Sequence, residues 1–207
     1  DAAMVTALRT GAMDMSANSQ GAVANVVPEY AAFGMPFLFS SQAHAWKIMD
    51  GPAGKELAEK SAEKGLMVLG YWDNGIRHMS NSKKPLMKPD DLKGLKMRPP
   101  PDTVTVDIMK SVGAEAQQIK WSELYVALQQ GVVDGQENPL VNVQAGKLYE
   151  VQKYVSLTGH KYEMTPFLIS KRSWDKLSNA DKKVVTEAAA EATALQRKLA
   201  QEADDKM

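Results

Sequence analysis

A short near-repeat constrains the fold more than any other feature of the sequence. Ala7–Asp14 is echoed by Ala127–Asp134, with four identical positions. In each copy an apolar helical pattern stops at a glycine, which suits a helix C-cap, and a short apolar segment that ends at Asp follows. The pattern predicts a helix, a turn and a strand in each copy. Chance similarity is the alternative, because glycine after a helix is common; we favour two lobes of similar topology, with the copies in separate sheets.

The rest of the chain alternates helical and strand patterns. Apolar spacing predicts helices over His44–Lys64 with a break at Gly51, over Thr103–Val112, and from an N-cap at Ser122 to Gly131, and a strand over Leu66–Trp72. Such alternation is typical of α/β layers. The sequence therefore predicts the α/β fold class.

The C-terminal part predicts one long amphipathic helix. Ser178 and Asp181 match a capping box at its start. Apolar residues recur along one side at helical spacing, namely Val184, Val185, Ala188, Ala192, Leu195 and Leu199. Because such a face is normally core, we expect this stripe to pack against a lobe and not to bind a partner.

Composition excludes several classes of partner and site. The 207 residues balance 25 basic against 25 acidic side chains, with no run of Lys or Arg, so we expect no nucleic-acid partner. Cysteine is absent, which excludes disulfides, thiolate metal sites and a cysteine nucleophile. No apolar run reaches the roughly 18 residues of a membrane helix. The residue patterns at both ends of the sequence are helical. We expect both ends to be truncated or processed, with any signal peptide removed.

Three segments contain polar side chains that core packing would not require. They are Trp72–Arg77, Gly94–Pro101 and Val132–Pro139. We expect each polar group at the carboxyl end of a strand, where open α/β sheets bind ligands. Arginine suits a carboxylate because its planar fork donates two parallel hydrogen bonds and stays charged when desolvated. Arg77, Arg98 and Asn138 could therefore hold one carboxylate. Alternatively, each arginine pairs with a surface acid, as exposed ion pairs commonly do.

The sequence contains few of the residue patterns that catalytic sites require. The histidines, His44, His78 and His160, lack metal-ligand spacing, and no nucleophile elbow, Walker loop or dinucleotide fingerprint occurs. Glu137 could act as a general base, but we interpret it as a hydrogen-bonded structural acid. We therefore expect no enzyme, no metal and no cofactor. Trp121 either lines a ligand or fills a helix–sheet interface.

The segment Trp121–Pro139, with the sequence WSELYVALQQGVVDGQENP, can be assigned to a family by resemblance. It closely resembles the signature of the solute-binding subunits of tripartite ATP-independent periplasmic (TRAP) transporters, the DctP-like family. Supporting matches are Phe33–Phe39, Asn74–Arg77 with Ser80–Asn81, Asp91–Arg98 and Tyr149–Tyr154. This long ordered set is far more specific than one short motif.

The resemblance implies a two-lobed, periplasmic-binding-protein-like α/β fold with hinge strands, a long bracing helix and a ligand enclosed between the lobes. We expect a first lobe over 1–74, a second lobe over 75–161, and a return over 162–207 to the first lobe and the bracing helix. The arginine of the family's Leu-Lys-x-Arg segment, which makes the principal carboxylate salt bridge, is Arg98 here. The other ligand-binding positions carried over are Arg77, Asn138, Trp121 and, from some relatives, Ser19.

The resemblance also implies a function. A periplasmic binding protein of this kind captures a small organic carboxylate and delivers it to membrane permease subunits, without a cofactor or a metal. The alternatives are an enzyme, a lyase or hydrolase that uses Glu137 or His160, and a sensor with the same pocket. Relatives begin with a further strand and helix ahead of Asp1, so we expect an incomplete first lobe, through which a homo-oligomer could form. Pro101 stands where many relatives carry a polar residue, which favours a less polar ligand tail.

Overall fold

The computed structural model describes residues 2–207, and it has the α/β class that the sequence predicts. The strands are β1 (Met15–Ala17), β2 (Leu66–Asn81), β3 (Lys96–Arg98), β4 (Glu115–Ala116), β5 (Gly135–Pro139) and β6 (Tyr154–Ser170). The α-helices are α1 (Ala2–Thr10), α2 (Gln20–Ala24), α3 (Gln42–Met49), α4 (Pro52–Glu63), α5 (Thr103–Ser111), α6 (Trp121–Gln129), α7 (Leu140–Ala145), α8 (Lys171–Trp174) and α9 (Asn179–Asp204). Short 3-10 helices cover Pro28–Gly34, Pro89–Leu92 and Leu148–Glu150. None of the helices described is both long enough and apolar enough to cross a membrane.

The strands are ordered β1-β6-β2-β5-β3-β4. β1 is antiparallel to β6 and β2 is antiparallel to β5, whereas β3 runs parallel to both β4 and β5. β2 and β6 are the longest strands, with 16 and 17 residues, and both are supplied with the β-branched and aromatic residues that favour strands. This order places the short strand β5 between β2 and β3.

The chain divides into two compact units. Unit 1 comprises Asp1–Phe33, Phe39–Gly75 and Glu163–Lys206, and unit 2 comprises Gly34–Leu38, Ile76–Tyr162 and Met207. The chain passes between the units within β2 and again within β6. Each unit therefore contains part of both long strands.

In unit 1, polar contacts fix α9 to β2. Thr193 Oγ1 accepts a hydrogen bond from Trp72 Nε1 at 3.1 Å. Gln196 bonds both backbone groups of Asp73, because its Oε1 accepts from the amide and its Nε2 donates to the carbonyl, each at 2.8 Å. A Cβ added to Gly70 would lie 2.4 Å from Thr193 Oγ1. The close approach of helix and strand therefore depends on the missing side chain of Gly70.

The apolar stripe of α9 is largely exposed, so the prediction that it packs against a lobe is wrong. Val184, Leu195 and Leu199 expose 63%, 56% and 53% of their surface, whereas Ala189 is buried. The face that packs is the one that carries Ala189 and Thr193, because that face makes the polar contacts with β2.

Two apolar clusters form the core of unit 2. One surrounds β3 and α5 and contains Met79, Leu86, Leu92, Leu95, Met97, Met109 and Ala114. The other surrounds α6 and α7 and contains Leu124, Ala127, Leu128, Val133, Val143 and Leu148. Neither cluster includes a residue of β5, although all five residues of that strand are buried. Strand β5 must therefore be stabilised by polar partners.

Both copies of the near-repeat end a helix at a left-handed glycine, as predicted. Gly11 follows α1 with φ 79°, and Gly131 follows α6 with φ 69°. The strands begin after the aspartates, at Met15 and Gly135, because the residues next to each glycine donate their amides back to the helix. The copies fall in different units, but β1 and β5 belong to one six-stranded sheet, so the prediction of separate sheets is wrong.

Two other helix signals are confirmed. The break at Gly51 separates α3, which ends at Met49, from α4, which begins at Pro52. Ser178 caps α9, since its side chain accepts a hydrogen bond from the amide of Asp181 at 3.1 Å.

Two predicted boundaries are wrong. The strand expected to end at Trp72 continues to Asn81 as β2. Helix α6 begins at Trp121 after Lys120, so Ser122 lies inside the helix and is not its N-cap. In both places tertiary pairing and packing outweigh the local turn signal.

Substitution of Gly54 should be strongly destabilising. A Cβ added there would lie 1.7 Å from the carbonyl O of Met49, a backbone atom that cannot move aside alone. We expect Gly54→Ala to lower the free energy of unfolding by about 3 kcal/mol, despite alanine's better helix propensity. Gly131→Ala is the control, because its Cβ would meet nothing within 4 Å and only the left-handed φ adds strain, about 1 kcal/mol. Urea denaturation measures both, and equal losses would contradict the prediction.

Candidate ligand-binding site

Strand β5 of unit 2 carries polar side chains in a buried setting. Gln136, Glu137 and Asn138 expose 0%, 0% and 4% of their surface. Both edges of the strand are covered, because β2 and β3 flank it. Buried polar groups are stable only when they have hydrogen-bond partners. The partners of these three side chains define the site.

Glu137 forms a buried ion pair with Arg77 of β2. Arg77 Nε donates to Glu137 Oε2 at 2.5 Å, and Nη2 donates to Oε1 at 2.7 Å. Arg77 Nη2 also donates to the carbonyl O of Glu137 at 2.8 Å. Because Arg77 is only 2% exposed, this two-pronged pair is shielded from water. The antiparallel register, with Met79 opposite Glu137, sets the two side chains diagonally across neighbouring strands.

The environment of Glu137 keeps its carboxylate ionised. His160 Nε2 lies 3.3 Å from Glu137 Oε2. Burial by itself raises the pKa of Glu137, but the charge of Arg77 and the contacts from His160 and Arg77 outweigh burial and lower the pKa to about 2. Glu137 is therefore negatively charged at neutral pH and is a poor proton acceptor.

Asn138 belongs to a buried chain of amides and hydroxyls. Its Oδ1 accepts from Arg77 Nη2 at 3.2 Å, and its Nδ2 donates to Gln136 Oε1. Gln136 Nε2 donates to Ser80 Oγ at 2.8 Å, and Ser80 Oγ donates to Gln152 Oε1 at 2.9 Å. This series of hydrogen bonds fixes the orientation of the Asn138 amide.

Arg98 is the last residue of β3 and is 3% exposed. Its Nε donates to the carbonyl O of Ile119 at 2.8 Å, which fixes the plane of the guanidinium group. In the parallel register Arg98 is paired with Gln136, the hydrogen-bond partner of Asn138. The prolines at 99–101 cannot donate ladder hydrogen bonds, and β3 ends where the sequence predicts.

Trp121 opens α6 and is 46% exposed. Its ring lies against Gly146, at the end of α7, since a Cβ added to this glycine would be 3.0 Å from two ring atoms. The ring is thus supported by α7 while much of its surface is exposed. Ser19, the fifth candidate, is a half-buried residue of unit 1 just ahead of α2.

The structure places three of the sequence-predicted residues on adjacent strands of unit 2. Arg77 and Asn138 are hydrogen-bonded to each other, and Arg98 is the strand partner of Gln136 next to them. The expectation that each polar group ends a strand is met by Arg98. It is wrong for Arg77, because β2 continues to Asn81. Asn138 does lie at the carboxyl end of a strand, as the penultimate residue of β5, but the polar residues themselves form that strand.

A second buried ion pair was missed by sequence reasoning. Lys161 Nζ donates to Asp102 Oδ2 at 3.2 Å and to Thr105 Oγ1 at 2.9 Å. Asp102 Oδ1 also accepts from the amide of Thr105 at 3.1 Å and so caps α5. The spacing of Asp102 and Thr105 signals a helix cap, but no local pattern connects them with Lys161 in β6. This pair fixes the start of α5, which follows Arg98 closely in the chain.

The network favours an anionic ligand. Arginine forks and amides donate hydrogen bonds in the geometry that carboxylates accept. Within residues 2–207, no group of three or more His, Cys, Asp or Glu side chains is placed to hold a metal ion. What the described residues offer is hydrogen-bond donors and positive charge on rigid strands.

The whole chain, residues 1–207, matches the profile of the DctP family, described as "Bacterial extracellular solute-binding protein, family 7". It is 54% identical over 204 residues to an uncharacterized protein, y4mM, of Sinorhizobium fredii (strain NBRC 101917 / NGR234), covering 99% of this chain and 38% of that protein. It is 37% identical over 205 residues to the 2,3-diketo-L-gulonate-binding periplasmic protein YiaO of Escherichia coli (strain K12), covering 99% and 62% respectively.

A solved structure is similar over the full chain. The sugar acid binding protein DctPAm from Advenella mimigardefordensis strain DPN7T, in complex with galactonate, has a TM-score of 0.97 and 39% identity, covering 100% of this chain and 66% of that one. The chain spans 38%, 60% and 62% of the length of three curated relatives that it matches. The likeness therefore covers all of this chain and part of each relative.

The Glu137 pair should make stability depend on acid pH. The pKa of Glu137 is lowered from 4.5 to about 2 by folding, so its contribution is complete above pH 4.5 and is lost as pH falls towards 2. Glu137→Gln should be less stable than the native protein by about 3 kcal/mol at pH 7. More than half of this gap should disappear by about pH 3.

Chemical denaturation of both proteins between pH 7 and 3 measures the gap. Asp134→Asn, at a partly exposed carboxylate just ahead of β5, is the control and should show a smaller gap. A gap between native protein and Glu137→Gln that stays constant with pH would contradict the ionised buried pair.

Proposed function

The chain belongs to the DctP family of bacterial extracellular solute-binding proteins, family 7, and we propose that it binds a small organic carboxylate outside the cytoplasm and passes it to a membrane permease of the TRAP type. In this proposal the protein performs no covalent chemistry and acts as a periplasmic receptor. The observation that carries it is the burial of Arg98, Arg77 and Asn138 on the adjacent strands β3, β2 and β5.

Arg98 is proposed as the main carboxylate anchor. A buried guanidinium group at the end of a short strand, held by the carbonyl of Ile119, is pre-oriented and loses little freedom when a ligand binds. Relatives named for acid ligands support this chemistry, since one carries galactonate and another is named for 2,3-diketo-L-gulonate.

Arg77 and Asn138 are proposed as secondary contacts. Two nitrogens of Arg77 already bond Glu137, so those two donors are engaged within the protein. Asn138 supplies an amide whose orientation is fixed by Gln136. Trp121, half exposed beside α7, would pack against the organic portion of the ligand. Ser19, in unit 1, is proposed as a further ligand contact.

The two units are proposed to be the two lobes of the receptor. The expected boundaries, 1–74, 75–161 and 162–207, would place the hinges in the long strands β2 and β6. The homo-oligomer expected through an incomplete first lobe has no supporting observation and is not part of the proposal.

An enzyme is the alternative that the site favours least. Glu137, the acid that the sequence analysis considered as a base, has its pKa lowered to about 2 by Arg77 and His160 despite its burial. A general base works best when its pKa is near the working pH. A receptor returns its acid unchanged, so mass spectrometry of the ligand before and after incubation separates the two functions.

Removal of the Arg98 guanidinium should nearly abolish binding. We expect Arg98→Ala to weaken affinity by roughly 30-fold to several thousand-fold, the effect of losing one partner of a buried hydrogen-bonded charge pair. Arg98→Lys should also lose much of the affinity, because an ammonium group cannot reproduce the planar two-bond fork. Arg77→Ala should lose less, because it is a secondary contact.

Calorimetric titration with the acid released from the purified protein, identified by mass spectrometry, checks these values, while circular dichroism confirms folding. Arg9→Ala, at an exposed arginine of α1 in unit 1, is the matched control and should bind normally. Native-like affinity in folded Arg98→Ala would mean that the carboxylate is held elsewhere.

A further inference from the structure

His78 of β2 shares one face of the sheet with the residues of the candidate site. In the antiparallel register His78 lies opposite Asn138 of β5, and Ser80 lies opposite Gln136. Directly opposite residues have their side chains on the same face. Arg98 is paired with Gln136 in the parallel register of β3 and β5, so Arg98 belongs to this face as well. The imidazole is therefore a neighbour of the Asn138 amide.

The backbone of β6 fixes the protonation of the His78 ring. The amide of Gly159, a residue in the left-handed region with φ 54°, donates to His78 Nδ1 at 3.0 Å. A ring nitrogen that accepts a hydrogen bond carries no proton, so the proton of the neutral ring is on Nε2. Burial and, to a smaller extent, the charge of His160 lower the pKa of His78, which keeps the ring neutral at pH 7. His78 Nε2 is thus a neutral donor.

This donor is available to a ligand. His78 is half-buried, and its Nε2 makes no hydrogen bond to any other side chain or backbone group of residues 2–207. The ring is nevertheless fixed in place, because Nδ1 is bonded to the main chain of β6. A fixed donor loses little freedom when a ligand binds.

The chemistry of the donor selects the kind of oxygen that it binds. Carboxylates are bound best by charged, forked donors, which Arg98 supplies. The neutral N–H of His78 suits a hydroxyl or carbonyl oxygen. A site built to bond such an oxygen rejects the analogue that lacks it, because the donor is then left unpaired.

We propose that His78 determines ligand specificity, because its Nε2–H donates to a hydroxyl or carbonyl oxygen on the organic portion of the acid that Arg98 holds. The inference rests on the proposed function, since it requires a carboxylate bound at Arg98. It assigns the ligand to the acids that carry an oxygen substituent close to the carboxylate.

Two substitutions separate the roles of the two ring nitrogens. In His78→Asn the side-chain oxygen replaces Nδ1 as the acceptor for Gly159, and no group replaces Nε2. In His78→Gln the amide nitrogen replaces Nε2 as a donor, and the acceptor for Gly159 is lost. We expect affinity for the acid released from the purified protein to fall about tenfold in His78→Asn and only about threefold in His78→Gln.

Stability should follow the opposite order. His78→Gln should have the lower urea midpoint, because it leaves the amide of Gly159 without its acceptor. A histidine with a purely structural role would give the same order in affinity and in stability, and that result overturns the proposal.

Calorimetric titration measures the affinities, with His44→Asn, at an exposed histidine of unit 1, as the control that should bind normally. The native protein should bind the analogue of the released acid that lacks the oxygen substituent about tenfold more weakly, and His78→Asn should lose most of this discrimination. A released acid without a hydroxyl or carbonyl group, or native-like affinity in His78→Asn, overturns this proposal and leaves the proposed function intact. A native protein that binds no carboxylate overturns the proposed function itself.

Discussion

The buried ion pair between Arg77 and Glu137 is the interaction on which the organisation of unit 2 depends. Strand β5 contributes nothing to the apolar clusters, yet all its residues are buried, so polar contacts must stabilise it against β2. Moving two charges out of water is expensive, and removal of one partner leaves the other uncompensated. The pair persists because its bonds are well aligned and because Asn138 is held beside it. A stabilising contact and the amide that we propose as a ligand contact thus share one arginine.

Features that depend on a few neighbouring residues could be predicted from the sequence. The left-handed glycines Gly11 and Gly131, the helix break at Gly51 and the cap at Ser178 follow from turn and cap preferences within a few residues. Arg98 could be placed because three prolines end its strand. The remaining site could not be derived in this way. Strand β5 has no apolar alternation, and its burial depends on partners that come from distant strands.

The other features that were not predicted depend on contacts between residues that are far apart in the sequence. Lys161 and Asp102 are 59 residues apart, and no periodicity joins them. The face of α9 that packs was also misjudged, because apolar periodicity identifies a stripe but does not say what covers it. The hydrogen bond that Thr193 accepts from Trp72, and those between Gln196 and Asp73, decide which side of the helix faces the sheet. Polar contacts thus determine both the arrangement of the candidate site and which face of α9 is exposed.

A crystal structure of the protein with its released acid bound would test the central claim most directly. We expect the ligand carboxylate about 2.7–2.9 Å from the guanidinium nitrogens of Arg98, with Asn138 within hydrogen-bond distance and the bonds between Arg77 and Glu137 retained. A carboxylate bound away from Arg98, or one that displaces Glu137 from Arg77, would contradict the account.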